Sequence, residues 1–306
     1  MHIMQNKKTL ISIVGPTAIG KTAMAIKVAH HLNTEIISAD SRQFFKEMEI
    51  GTAKPTTEEL ASAKHHFINS HSVTDLFSTG DFEMQGLSRL TAIFEKHDVA
   101  IMVGGSGLYI NALINGLDEM PEIDLSIREQ LNKQFEEYGI SAIQKQLAEV
   151  DPEYFAKVDQ HNPQRMIRGL EVFLSTGKKL SSMLSATKKT RPFQTIKIGL
   201  NTDRSLLYDR INKRVDTMIN SGLVNEVRSL NDFRKYNALN TVGYSEIFDF
   251  IDGKISIDDA ISAIKQNTRR FAKRQLTWFR RDEEIKWFEP LYENAILSYI
   301  EQELKK

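Results

Sequence analysis

The chain has 306 residues, no cysteine, and 40 Lys and Arg set against 40 Asp and Glu, for a formal net charge of zero. Its length suggests about two domains, and 41% hydrophobic with 26% charged residues excludes a disordered or fibrous chain. No apolar run reaches the roughly 18 residues of a membrane span, and without cysteine there is no disulfide framework, zinc ribbon or thiol nucleophile, which points to a reducing cytoplasm.

Lys7 and Lys8 precede an apolar stretch in the manner of a signal peptide. That stretch ends in Gly20-Lys21-Thr22 with no A-x-A site, so it reads as part of the fold. Leu10 to Val14 is a short β-branched run stopped by Gly15, the pattern of a buried strand. A helix over Lys21 to Leu32 and a second strand around Glu35 to Ser38 follow. Thr56-Thr57-Glu58-Glu59 is a helix start, its acids matched to the positive end of the helix dipole. Val99 to Val103 is another buried strand, ended by Gly104-Gly105. Strands alternating with helices predict an α/β fold, a parallel sheet flanked by helices.

From about 114 to 193 only helices are predicted. One covers Leu125 to Tyr138 between an Asp124 N-cap and a Gly139 stop. Two more begin at Asp151-Pro152 and Asn162-Pro163, the second closed by Gly177. Ile196 to Leu200 alternates like a strand and rejoins the sheet, and long amphipathic helices fill the remainder. The expected plan is a core of residues 1–113 and 194–306 interrupted by an inserted all-helical domain, residues 114–193.

Gly15-Pro16-Thr17-Ala18-Ile19-Gly20-Lys21-Thr22 fits G-x-x-x-x-G-K-[ST], in the strand-to-helix context that motif requires. Backbone N–H groups there curl around a phosphate at a helix N-terminus, Lys21 neutralises phosphate oxygens, and the Thr22 hydroxyl holds Mg²⁺. A nucleotide hydrolase would place an Asp at the end of a later apolar strand. Here that strand ends in Gly104-Gly105-Ser106. The nearest acid is Asp40, beyond the second strand, facing the same crevice as the phosphate loop. A carboxylate there can take a proton from an attacking hydroxyl or amine. The pattern suggests a kinase-like transferase, with an ATP-dependent kinase of a small metabolite or nucleotide as the alternative.

Zero net charge would argue against a nucleic-acid partner, but an average hides patches. Lys178, Lys179, Lys188, Lys189 and Arg191 lie in one stretch without an acid. Lys265, Arg269, Arg270, Lys273, Arg274, Arg280 and Arg281 lie in another, a helical segment. On that segment Ile261, Ile264, Phe271, Gln275 and Phe279 trace a core stripe, leaving Arg270, Lys273, Arg274, Trp278 and Arg281 to solvent. A basic face with an exposed aromatic suits a phosphate backbone and an unstacked base. Gln164-Arg165-Met166-Ile167-Arg168 opens another helix, with Gln164 and Arg168 on one face and Met166 towards the core. His65, His66 and His71 have no carboxylate or thiol at metal-ligand spacing and read as structural.

These residues resemble the bacterial tRNA dimethylallyltransferases, also called tRNA isopentenyltransferases. The matching segments run in family order: GPTAIGKT (15–22), ISADSRQ (37–43), EIGTAKP (49–55), HHF (65–67), VGGSGLY (103–109), NPQRMIR (162–168), RVDTMINSGLVNEV (214–227), TVGYSE (241–246) and RRFAKRQLTWFR (269–280). The resemblance implies a P-loop kinase-like core with a helical insertion that contacts tRNA. It also implies transfer of a dimethylallyl group from dimethylallyl diphosphate to N6 of adenine 37, beside the anticodon. Gly15 to Thr22 would hold the diphosphate with Mg²⁺, Arg214 would be a second cation on it, and Asp40 would be the general base. Ser106 stands where the family usually has Thr, its hydroxyl near the reacting amine. Asp40, Ser41, Arg42, Gln43, Ser106, Arg128 and the segment Gln164 to Arg168 match tRNA-contacting positions, which the basic face of Arg270, Lys273 and Arg274 would extend. The implied partners are a tRNA anticodon stem-loop and the diphosphate donor, with no membrane, and the protein is expected to be a monomer.

Overall fold

The computed structural model describes residues 7–185 and 187–306. Strands β1 (Thr9–Val14), β2 (Ile36–Ser38), β3 (His65–His66), β4 (Val99–Gly104), β5 (Gln194–Leu200) and β6 (Lys286–Phe288) form one sheet in the order β3-β2-β4-β1-β5-β6. Every neighbouring pair is parallel. Helices α1 (Lys21–Leu32), α2 (Thr57–Ser62), α3 (Thr79–Phe94) and α4 (Gly107–Asn115) alternate with the first four strands. Then come α5 (Leu125–Tyr138), α6 (Ile140–Val150), α7 (Pro152–Lys157), α8 (Pro163–Thr176) and α9 (Leu180–Met183). After β5 the chain forms α10 (Arg204–Asn220), α11 (Leu223–Ser229), α12 (Ser245–Ile251) and α13 (Ile257–Phe279), and ends in α14 (Glu293–Leu304).

β1 lies between β4 and β5 and is buried along its whole length, which is why it reads as an unbroken apolar run rather than an alternating one. Its alternate residues still serve opposite faces. Ile11 and Ile13 pack with Met24 and Val28 of α1, Ile211 of α10 and Ile300 of α14. Leu10 and Val14 pack with Phe82 and Leu90 of α3 and Leu113 of α4. A third cluster joins Phe45 and Met48 to Val215, Val227, Tyr244, Phe248 and Ile264. It fixes the segment after β2 against the C-terminal helices.

Local caps hold the helix ends, both those predicted at Thr56, Asp124 and Asn162 and the start of α3 at Ser78, which was not predicted. Thr56 and Ser78 make capping boxes with Glu59 and Asp81. Asp124 and Asn162 accept from Ser126 N and Arg165 N, and Gly139 and Gly177 end α5 and α8. Two strands go unpredicted, β3 and β6.

The described residues fall into two compact units, one running to Asn115 and resuming over Thr190–Lys306, the other Gly116–Lys189. The first break comes later than the expected 113 because α4 continues to Asn115. The second comes before 194. Arg191 therefore belongs with the sheet, and it is not part of a basic face. Its buried guanidinium meets Glu83 at 2.7 Å and donates to the Ala112 carbonyl at 2.8 Å. The helical unit packs its own core from Leu131, Ile143, Leu147, Met166, Ile167 and Leu170.

β1, β2 and β4 deliver their carboxyl ends to one crevice, where open α/β sheets bind ligands. Gly104 lets two of these ends touch. A Cβ on it would lie 2.2 Å from the Ala39 carbonyl oxygen, a backbone atom that cannot swing aside. Gly104→Ala is therefore expected to cost about 1–3 kcal/mol, the usual range for overpacking, read as a lowered Tm in thermal unfolding followed by circular dichroism.

Candidate active site

The phosphate loop joins β1 to α1, and its backbone already has the required curl. Gly20 caps α1 at φ +101°, and Ala18 is also left-handed at φ +64°. Ile19 buries its side chain in the core, so only its backbone can meet a ligand. Pro16 has no N–H to give; its carbonyl instead accepts from Lys21 Nζ at 2.8 Å. Burial pulls Lys21 down to about 8, with the Asp40 carboxylate opposing and Arg214 adding to the fall. Arg214 of α10 reaches Thr17 Oγ1 at 3.5 Å. One turn earlier, Arg210 donates to the Ile19 carbonyl at 3.3 Å. Burial also lowers Arg214 and Arg42, and Asp40 works against that in both cases. Asp40 thus sits in the field of Lys21, Arg214 and Arg42.

Facing the phosphate loop are the ends of β2 and β4. Ala39 N donates to Val103 O at 2.7 Å, and Ser106 N to Ala39 O at 3.3 Å. Ser106 Oγ accepts from Ser41 N at 3.0 Å and donates to Ser41 Oγ at 3.2 Å. Asp40 Oδ1 accepts from Arg42 N at 3.1 Å, which orients the carboxylate. Gln43 spends its amide inside the protein, donating to Thr52 O at 3.2 Å and Ala53 O at 3.1 Å.

The 49–55 loop that receives Gln43 is anchored by a residue the sequence reading did not single out. Glu226 of α11 accepts from the backbone of Glu49, Ile50 and Gly51, at 3.0, 2.7 and 3.0 Å. Its Oε1 also takes the Tyr244 hydroxyl at 2.6 Å. Such a carboxylate satisfies three backbone donors at once.

A second unassigned residue joins the two sides. Gln275 of α13 is 6% exposed. Its Oε1 accepts from Thr17 N at 2.8 Å, and its Nε2 donates to the Gly105 carbonyl at 3.0 Å. A Cβ on Gly105 would fall 2.1 Å from that nitrogen. The signal was in the sequence: a polar side chain on a stripe that otherwise reads as core.

Thr17, Ala18, Gly20, Lys21, Thr22, Asp40, Gln43 and Arg214 line one cleft of about 990 Å³. Phe271 lines it too. It was expected in the core, yet it is 39% exposed, because Ala272 and Gln275 take the buried side of α13. Arg270, Lys273, Arg274, Trp278 and Arg281 are all exposed, with Arg280 and Arg281 lying just past the end of the helix. In the helical unit Gln164 and Arg165 are exposed. Met166 and Ile167 must be removed from any RNA-facing set, because both side chains are fully buried in that unit's core. His65, His66 and His71 bond to the Ala63 carbonyl, Glu35 and Ser70 respectively.

The family model described as IPP transferase matches residues 43–282. A tRNA dimethylallyltransferase of Christiangramia forsetii is 58% identical over 96% of this chain and 98% of that protein. One from Flavobacterium johnsoniae is 50% identical over 97% and 99%. Among solved structures, the full-length tRNA isopentenylpyrophosphate transferase of Bacillus halodurans matches with a TM-score of 0.73 at 37% identity, covering 98% of this chain and 97% of that one. A eukaryotic dimethylallyltransferase acting on tRNA matches at 0.76 and 26% identity, over 92% of this chain and 74% of that one.

The depressed Lys21 predicts a proton linkage. The free ammonium is half lost near pH 8, whereas a bound anion requires it charged. Inorganic diphosphate should therefore bind with proton uptake above pH 8, seen by titration calorimetry in buffers of differing ionisation enthalpy. Affinity should fall from pH 8 to 9, and Lys21→Met should bind weakly with no such slope. Gln275→Leu strips the partners from Thr17 N and Gly105 O, at roughly 1–3 kcal/mol for each group left unpaired. It should lower Tm by several degrees and weaken diphosphate binding.

Proposed function

The chain belongs to the IPP transferase family, and on that footing we propose that it is a tRNA dimethylallyltransferase, moving a dimethylallyl group from dimethylallyl diphosphate to N6 of adenine 37, next to the anticodon. The observation that carries this reading is a phosphate loop sharing one cleft with Asp40, while β4 ends in glycines where a nucleotide hydrolase would carry an acid. The competing kinase expectation falls with the family assignment.

In this reading the adenine leaves the anticodon-loop stack to reach the cleft, at a cost of a few kcal/mol. N6 attacks the allylic carbon, the carbon–oxygen bond to the diphosphate breaks, and Asp40 takes the N6 proton. Lys21, Arg214 and the N–H groups of the phosphate loop receive the negative charge that the diphosphate carries away. Preorganised stabilisation of this kind is commonly the largest catalytic term. Ser106 holds Ser41, and through it the strand end that bears Asp40, and its hydroxyl stands on the acceptor side of the site.

Mg²⁺ suits the residues present. Among the described residues no group of three His, Cys, Asp or Glu converges into a metal cage. The Thr22 hydroxyl, with Asp40 in the same cleft, suits a cation that keeps its waters and is held chiefly by phosphate oxygens. When bound, such an ion would neutralise charge on the departing diphosphate. The tRNA would be held by Arg42, Arg128, Gln164, Arg165, Arg168 and the α13 residues Arg270, Lys273 and Arg274. No described helix is long and apolar enough to cross a membrane. We place the protein in the cytoplasm as a monomer.

Asp40→Ala tests the assignment. With an anticodon stem-loop and radiolabelled dimethylallyl diphosphate, label transfer should fall about 100-fold or more, the scale of a lost general base, with RNA affinity retained. Turnover near the wild-type rate would show that the proton goes elsewhere.

A further inference from the structure

Arg128 of α5 and Arg168 of α8 converge on one carboxylate, Glu171, a turn further along α8. Glu171 Oε1 accepts from Arg128 Nε at 2.9 Å. Its Oε2 accepts from Arg128 Nη2 at 2.5 Å and from Arg168 Nη1 at 3.5 Å. The acid lies beneath and the arginines reach the surface, since the Glu171 side chain is 2% exposed while those of Arg128 and Arg168 are 39% and 34% exposed. Glu171 is buried in α8 along with Met166, Ile167, Gly169, Leu170 and Val172. A charge left there without partners would be strongly destabilising, so the arginines are held to it.

Each guanidinium carries five N–H donors in a rigid fork. The three bonds to Glu171 leave most of the donors of the pair for another anion. The Arg128 contact is the two-point kind that fixes the plane of a guanidinium as well as its place. Fixing that plane removes rotamer freedom on folding, so RNA binding need not remove it later.

We propose that Glu171 is a positioning residue for RNA: buried beneath the surface, it sets Arg128 and Arg168 as a preformed pair that grips a backbone phosphate of the tRNA. The inference rests on the tRNA reading above. It carries a sign opposite to simple electrostatics. Removing an acid near an RNA-binding face should tighten RNA binding if only charge counts, whereas loss of the clamp should weaken it.

The test uses the full chain, a fluorescent anticodon stem-loop for binding, and radiolabelled dimethylallyl diphosphate for turnover. Glu171→Gln keeps the shape and drops the charge. Its Kd and KM for RNA should rise about tenfold, with kcat and the KM for the diphosphate donor unchanged. Arg128→Lys keeps the charge but loses the two-point bond, and it should show the same selective loss. Far-UV circular dichroism and thermal unfolding confirm that each variant keeps its helices, those of the Gly116–Lys189 unit that holds Glu171 included. RNA binding by Glu171→Gln as tight as wild type, or tighter, overturns the proposal. If that variant does not fold, Arg128→Lys decides, and wild-type RNA affinity in it overturns the proposal equally. A wild-type protein that neither binds nor modifies the stem-loop overturns the tRNA reading itself, and this inference with it.

Discussion

Gln275 takes a backbone N–H from the phosphate loop and gives one of its own to Gly105, so a single buried amide ties the end of β1 to the end of β4. Those strands are already paired in register along the sheet, but pairing stops where the loops begin. Beyond that point the cleft has no ladder to hold its width, and the amide takes over. Ser106, next along from Gly105, carries the constraint across to Ser41 and the Asp40 segment. Donor side and acceptor side are thus referred to one side chain on α13.

The electrostatics of the cleft follow from this closeness. Two cations are packed by a half-buried carboxylate, and burial weakens the hold of Lys21 on its proton. An anion entering the cleft adds charge that restores the ammonium. The wall beyond it is held from behind by Glu226, whose oxygens take three consecutive backbone donors and the Tyr244 hydroxyl. Neither α11 nor α12 supplies a group to the reaction in our reading, yet both set the loop that borders it.

Much of the scaffold was legible because its signals are local. Leu10 to Val14 and Val99 to Val103 are apolar runs stopped by glycine, and Asp124 with Gly139 brackets α5 as written. β3 and β6 were not legible. With two and three residues they carry no pattern of their own and exist because β2 and β5 offer an edge to pair with. The phosphate loop and Asp40 could be read from motif and strand order. The partners of the buried Gln275 amide and of the partly buried Glu226 carboxylate could not, since both act on residues far away in the chain. Phe271 shows the limit of helical periodicity, which cannot tell a core stripe from the wall of a cleft one step round the helix. Met166 and Ile167 show the limit of transferring a motif whole, because a helical segment has an inner face as well as an outer one.

Gly105 and Gly51 are among the glycines here whose surroundings are shaped by side chains far along the chain. The space missing at Gly105 is filled by the Gln275 amide, and that at Gly51 by the Tyr244 ring, 2.5 Å from where a Cβ would stand. Within each pair, a larger residue at the glycine displaces its distant partner, breaking the Gln275 hydrogen bonds in one case and moving the Tyr244 ring in the other, and shrinking the partner alone opens a void. Such positions cannot drift independently, since substitutions that share a contact do not add. The cleft is therefore inherited as pairs of residues, and each route to a new pair passes through an intermediate worse than either end.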